Sequence, residues 1–152
     1  YDLSAPIWRR LALRLELGLL RLLQRYDKVI AHSGMALGAD TVWAEVITKL
    51  RREFGPDRIC FVAEVPCEGQ ASRWYKSSQE QWSELICQAD VVNVYAQTYS
   101  PACMQQRNIG MVDAADLLIA FWNGNPKGGT ANAVHYAQKV GVPIFRIDPA
   151  QL

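Results

Sequence analysis

The sequence predicts an α/β fold, a mostly parallel sheet covered by helices on both faces. Two observations carry that expectation. Short apolar runs alternate with segments of helical periodicity from one end to the other, and no pair of runs flanks a hairpin turn. The chain also has 152 residues, 50% hydrophobic and 20% charged, which suits one compact domain and excludes a disordered one.

The elements follow in order. A long helix is expected from Ala5 to Tyr26, with Ser4 as N-cap and Pro6 in its first turn. Ile7, Trp8, Leu11, Leu15, Leu19, Leu22 and Leu23 share one face, while Leu13, Leu17 and Leu20 form a second, narrower stripe. A helix apolar on two sides is either sandwiched in the fold or half of an interface. The second stripe therefore predicts a homodimer. Lys28–Ser33 reads as a strand ending in a glycine turn, and Asp40–Phe54 as a helix stopped by Gly55-Pro56. Arg58–Val65 is a second strand, Trp74–Cys87 a helix and Val91–Tyr95 a third strand. A helix from Pro101 to Ala115, a strand Leu117–Trp122, a helix Ala131–Val140 and a strand Pro143–Ile147 complete the order.

Charge and composition narrow the function. Sixteen Lys and Arg against fifteen Asp and Glu leave a net charge of +1, which argues against a surface built to grip duplex DNA. No uncharged apolar run approaches the roughly 18 residues of a membrane span. Arg9, Arg10, Arg14 and Arg21 interrupt the leucines of the first segment, so a secretory signal is not expected there. Cys60, Cys67, Cys87 and Cys103 form no CxxC pair, and the two histidines have no metal-ligand spacing. Reduced thiols in the cytoplasm, no metal and no cofactor are the expectation.

In open parallel sheets ligands sit outside the carboxyl ends of the strands, so the loops there are the candidates. Ser33-Gly34-Met35-Ala36-Leu37-Gly38-Ala39-Asp40 joins a strand to a helix. Its glycines allow a tight turn and close approach of a ligand, and the bare N–H groups at the helix start attract anions. A plain glycine turn with Asp40 as N-cap explains the same residues. Neither GxGxxG nor GxxxxGK[ST] is present. Asn123-Gly124-Asn125-Pro126-Lys127-Gly128-Gly129-Thr130 is a second strand-to-helix glycine loop, with Thr130 placed to cap. Two such loops on one sheet edge would form the walls of one crevice.

Between them in sequence, Met104, Met111, Val112 and Ala115 mark a buried helical stripe on which Arg107 and Asn108 fall. A buried arginine needs a partner: an anionic ligand, or else Asp113 or Asp116. The polar segment Pro66–Trp74 can fold over a ligand, with Gln70 reading a base edge or ribose and Trp74 stacking. Trp74 and Trp122 read equally as packing residues. His32 reads as a lone strand-end histidine and His135 lies mid-helix. Neither has a Ser or Cys partner at triad spacing.

Several of these segments together resemble the YpsA-like family of the SLOG superfamily. They are residues 33–40, Pro66 with Glu68, Gly69, Gln70 and Trp74, Arg107-Asn108 with Met111-Val112-Asp113, and Gly128-Gly129-Thr130. The resemblance covers essentially the whole chain. It implies a Rossmann-like fold and binding of a nucleotide or nucleotide-derived phosphorylated small molecule, as a sensor or binding module. Ser33, Gly34, Met35, Gly38, Asp40, Gln70, Arg107, Asn108, Trp122, Gly128, Gly129 and Thr130 are the expected ligand contacts. Such chains usually begin with a strand and a Gly-His-Arg turn ahead of the first helix, so that strand is expected upstream of Tyr1.

Two sister families sharpen the alternatives. Met104–Met111 is similar to the MHxRKxxM motif of the cytokinin-activating phosphoribohydrolases, with Asn108 in place of the lysine. Their PGGxGTxxE loop matches Pro126–Ala133, with Ala133 in place of the glutamate. An N-glycosidase acting on nucleoside monophosphates is thus one alternative, and it needs a carboxylate beside Arg107 that Glu68, Asp40 or Asp113 would have to supply. Ser33–Asp40 is similar to the SGLAxGID segment of DNA-processing proteins that bind single-stranded DNA, a second alternative without their excess of Lys and Arg. The expectation is binding with little or no phosphoribohydrolase activity.

Overall fold

Leucine spacing sets the first element. In a computed structural model, which describes residues 5–152, helix α1 (Pro6–Arg25) buries Leu11, Leu15, Leu19 and Leu23. That four-residue repeat runs one stripe along the helix. Pro6 sits in its first turn and Ala5 occupies the N-cap position. The Ser4 cap and the strand expected before Tyr1 lie outside the described residues.

Among the described residues, five strands and four further helices alternate as the periodicity required. They are β1 (Val29–Ser33), α2 (Ala39–Phe54), β2 (Ile59–Val65), α3 (Lys76–Cys87), β3 (Val91–Val94), α4 (Pro101–Asp113), β4 (Leu118–Phe121), α5 (Gly129–Val140) and β5 (Ile144–Ile147). All pairings among the described residues are parallel, in the order β1-β2-β3 and, as a second ribbon, β4-β5. This is the α/β, Rossmann-like architecture. Side chains alternate across the sheet: Ala31, Ile59, Phe61 and Ala63 join one core with α1, α2 and Leu85 of α3. His32, Val62 and Glu64 point to the opposite face, where α4 lies with Gly110 against Tyr95. Helix α4 packs in turn on α5.

A surface clamp ties α2 to the sheet. Asp90 accepts Phe61 N–H at 2.8 Å and a hydrogen bond from Arg51 Nε at 3.0 Å, with a second, shorter contact to Arg51 Nη2. Burial alone would raise the Asp90 pKa; the backbone and guanidinium hydrogen bonds outweigh it and hold the carboxyl below its usual range.

Three expectations change. Leu20 packs against the core, so the second stripe of α1 reduces to Leu13 and Leu17, which are 58% and 54% exposed. The buried stripe of α4 is Cys103, Arg107, Asn108 and Val112. It keeps Arg107, Asn108 and Val112 of the expected stripe and adds Cys103, while Met104, Met111 and Ala115 are only half-buried. Ser100 caps the helix, its Oγ accepting Cys103 N–H at 3.1 Å and its N–H donating to Cys103 Sγ at 3.4 Å. Trp74 precedes α3, and Trp82 is the tryptophan of that helix packed on the core.

The two leucine stripes of α1 make opposite stability predictions. Leu19, fully buried, should lose about 2–5 kcal/mol on truncation to alanine through lost burial and the cavity left behind. Leu17→Ala, exposed in the single chain, should stay within about 0.5 kcal/mol at dilutions that keep the chain monomeric. Urea unfolding of the two variants under identical conditions measures both.

Candidate functional site

Because the strands are parallel, the loops after β1 and β2 leave from one edge of their sheet, and α4 contacts both the β1 loop and the loop after β4. The β1 loop is folded onto the start of α2 by its own polar groups. Ser33 Oγ donates to Asp40 O at 2.8 Å and accepts Met35 N–H at 3.3 Å. Ala36 N–H donates to Asp40 Oδ2 at 3.2 Å, and Thr41 Oγ1 donates to Ala36 O at 2.9 Å. Met35 takes φ 56°, the left-handed region costly for a side-chain-bearing residue. Its side chain lies in the core, so Met35 offers a ligand only backbone.

Asp40 is not the cap that its position suggested. Gly38, with φ 97°, occupies the N-cap and supplies no side-chain hydrogen bond. Asp40 falls inside the first turn and reaches back to Ala36. Likewise α5 starts at Gly129 with Gly128, φ 106°, as its uncapped N-cap, and Thr130 lies in the first turn. A glycine in the N-cap position has no side chain to satisfy the helix's first N–H groups. Both helices facing this edge therefore begin without a side-chain cap.

Arg107 closes the space between them. It is 5% exposed, and its Nη1 donates to the Gly34 carbonyl and stands 3.7 Å from Asp40 Oδ2. Its Nε is buried with no hydrogen-bond partner among the described residues. A Cβ at Gly34 would overlap the guanidinium and come within 2.7 Å of Asp40 Oδ2, so the close approach requires glycine. Gln70 Nε2 also donates to Gly34 O, at 3.3 Å, while Gln70 Oε1 accepts from Trp82 Nε1 at 3.3 Å. Gln70 thus fastens the β2 loop over the β1 loop. Burial raises the Asp40 pKa; Arg107 and the Ala36 N–H oppose this without cancelling it.

On the other wall, Asn108 Nδ2 donates to Gly129 O at 3.1 Å and ties α4 to the second glycine loop. Trp122 Nε1 donates to Asn125 O at 2.8 Å. The Arg146 guanidinium lies 5.2 Å above the Trp122 ring and His135 meets it edge-on at 6.4 Å. Ser33, Gly34, Gly38, Asp40, Gln70, Arg107, Asn108, Gly128 and Gly129 are thus connected through one network or its two helix starts. Glu68 is exposed on its loop, and Asp113, exposed at the far end of α4, accepts from Tyr136 OH at 2.8 Å. Neither carboxylate joins Arg107.

Sequence reasoning missed a second cluster. Glu64 is 1% exposed; its Oε1 lies 2.8 Å from His32 Nδ1, and its Oε2 accepts from Asn93 Nδ2 at 3.1 Å and Tyr95 OH at 3.0 Å. Burial would raise the Glu64 pKa, but these three hydrogen bonds win and lower it. Burial and the neighbouring carboxylate push the Tyr95 phenol up to about 12. Gly110 makes room: a Cβ there would strike the Tyr95 ring. The available signal was a glutamate inside the apolar run Ile59–Val65, in phase with His32 on the adjacent strand.

A family model described as the YspA SLOG family matches residues 13–152. The chain belongs to this family. It is also similar to a protein of Bacillus subtilis (strain 168) described as the uncharacterized SPbeta prophage-derived protein YoqJ. The two are 28% identical over 144 residues, covering 84% of this chain and 81% of that one. In this SLOG chain the match takes in both glycine loops, Arg107 and the Glu64 cluster.

The lowered Glu64 pKa has a defined pH consequence. A carboxyl depressed on folding adds stability above its ordinary value of 4.5, and that stability is lost as pH falls through the folded value. Glu64→Gln should cost about 1–3 kcal/mol at neutral pH and lose less than the wild type on acidification toward pH 3. Thermal melts across that range check the slope.

Proposed function

We propose that the chain binds a nucleotide or nucleotide-derived phosphorylated small molecule at this sheet edge, as a sensor or binding module. The observation that carries the reading is the buried Arg107 with an unpartnered Nε, set between two helix starts that have no side-chain cap. A cation with a spare N–H, joined by bare backbone donors, is chemistry suited to a phosphate. Ser33, Gly34, Met35, Gly38, Asp40, Gln70, Arg107, Asn108, Trp122, Gly128, Gly129 and Thr130 would line it, with Gly34 and Gln70 holding Arg107 in place. Family membership supports the same reading.

The N-glycosidase alternative keeps one of its three candidate carboxylates, Asp40 at 3.7 Å from Arg107, but has less support: Ala133 stands where the sister enzymes carry glutamate, and neither Glu68 nor Asp113 pairs with Arg107. Single-stranded DNA binding is disfavoured by the net charge of +1, since backbone contacts require surplus cations. No helix among the described residues is long and apolar enough to cross a membrane. The four free cysteines fit a reducing compartment, and a cytoplasmic location is part of this reading.

Calorimetry with a panel of nucleoside mono- and diphosphates, ADP-ribose and cyclic nucleotides tests the reading. At least one should bind, and Arg107→Ala should weaken it by a hundredfold or so, as expected for a lost charged hydrogen bond of about 3 kcal/mol. Unchanged affinity in Arg107→Ala would remove that residue from the site.

The exposed pair Leu13 and Leu17 supports a homodimer through α1. Light scattering should give twice the 17.1 kDa chain mass, shifting toward monomer in a Leu13→Lys, Leu17→Lys double variant. A wild-type monomer at tens of micromolar would count against it.

A further inference from the structure

Resting on the nucleotide-binding reading, we propose that the crevice hydrolyses phosphodiesters, with His32 as the base that deprotonates the attacking water and Glu64 as its positioning residue. The argument begins with the tautomer. A carboxylate only accepts hydrogen bonds, so the 2.8 Å contact between His32 Nδ1 and Glu64 Oε1 places the proton on Nδ1 and, in the neutral ring, the lone pair on Nε2. Glu64 itself cannot swing, because Asn93 and Tyr95 hold its other oxygen.

That free nitrogen is reachable. His32 Nε2 makes no hydrogen bond among the described residues, and the side chain keeps 17% of its surface exposed. The cluster also abuts the phosphate machinery. His32 is two residues from Gly34, whose carbonyl Arg107 grips, and Tyr95, which holds Glu64, packs on Gly110 one helical turn beyond Arg107. A base oriented by a carboxylate, next to an anchored anion, is an arrangement for activating water.

The charge of the site selects the substrate class. Arg107 is the cation buried there, and Asp40 at 3.7 Å offsets part of it. A singly charged diester therefore meets less uncompensated repulsion here than a doubly charged phosphomonoester. In the reaction, Nε2 takes a proton from water as the water oxygen bonds to phosphorus. The bond from phosphorus to the leaving oxygen breaks with its electron pair on that oxygen, which takes a proton from solvent. The imidazolium releases its proton to solvent, so a diester and water become a monoester and an alcohol. The Arg107 guanidinium stabilises the charge growing on the non-bridging oxygens.

The test uses the full chain and bis(p-nitrophenyl) phosphate, following p-nitrophenolate release. Turnover is expected, and His32→Asn, whose amide can still donate to Glu64, should lower kcat by about a hundredfold or more. Added imidazole should restore part of the rate to His32→Ala, and Glu64→Gln should lower kcat with little change in KM. Nucleotide binding is measured separately on wild type and His32→Asn by calorimetry with cyclic AMP and ADP-ribose. Binding without diester cleavage overturns this proposal and leaves the binding reading standing. Equal turnover in His32→Asn, or faster cleavage of p-nitrophenyl phosphate than of the diester, also overturns it. Neither binding nor turnover would remove both.

Discussion

The grip of Arg107 on the Gly34 carbonyl is the contact on which the rest of the site depends. It joins a side chain from α4, on one face of the sheet, to the loop that leads into α2, on the other. A buried guanidinium is tolerated only when its donors are met, and here they are met unevenly. One nitrogen has a carbonyl and a nearby carboxylate, while Nε has no partner. The neighbours are built around that placement: Gly34 has no Cβ to obstruct it, Gln70 braces the same carbonyl, and Asn108, the next residue on α4, anchors the opposite glycine loop. One pair of adjacent residues on one helix therefore ties both glycine loops to α4.

Glu64 is the second organising constraint, and it works differently. A carboxylate placed inside an apolar strand carries a large desolvation cost, which three directed hydrogen bonds reverse. Those donors come from β1, from β3 and from Tyr95, just past the end of β3. The cluster therefore fixes the three strands in register at the end where the loops emerge. The glycine at Gly110 costs α4 about 1 kcal/mol of helix propensity and gains the approach of Tyr95. Local stability is given up where the network needs space.

The architecture was legible because apolar periodicity is a local property. The strand and helix boundaries, the Leu11–Leu15–Leu19–Leu23 stripe and the burial of Arg107 and Asn108 all follow from residue spacing. What misled was chemistry decided by φ angles and by partners distant in sequence. Asp40 and Thr130 have the composition of caps, yet glycines with positive φ took the cap positions. Cys103 rather than Met104 fills the buried end of the α4 stripe, a choice between adjacent apolar residues that hydropathy does not decide. His32 seemed isolated because its partner stands 32 positions away on the neighbouring strand. A pairing of that kind becomes visible only once the strand register His32↔Val62 is known.

The glycine cap positions and the partly met arginine make sense together. A helix start capped by serine or aspartate satisfies its own N–H groups and presents an oxygen to the crevice, which an anion would have to displace or repel. With glycine there, the N–H groups and the positive end of the helix dipole stay open. Asp40 is the exception, a carboxylate within the first turn of α2. Its direction is set by Ala36 N–H and Arg107, and burial raises its pKa, so its negative charge is the least comfortable one at this edge. Asp40 is thus the charge that offsets the buried guanidinium in this structure.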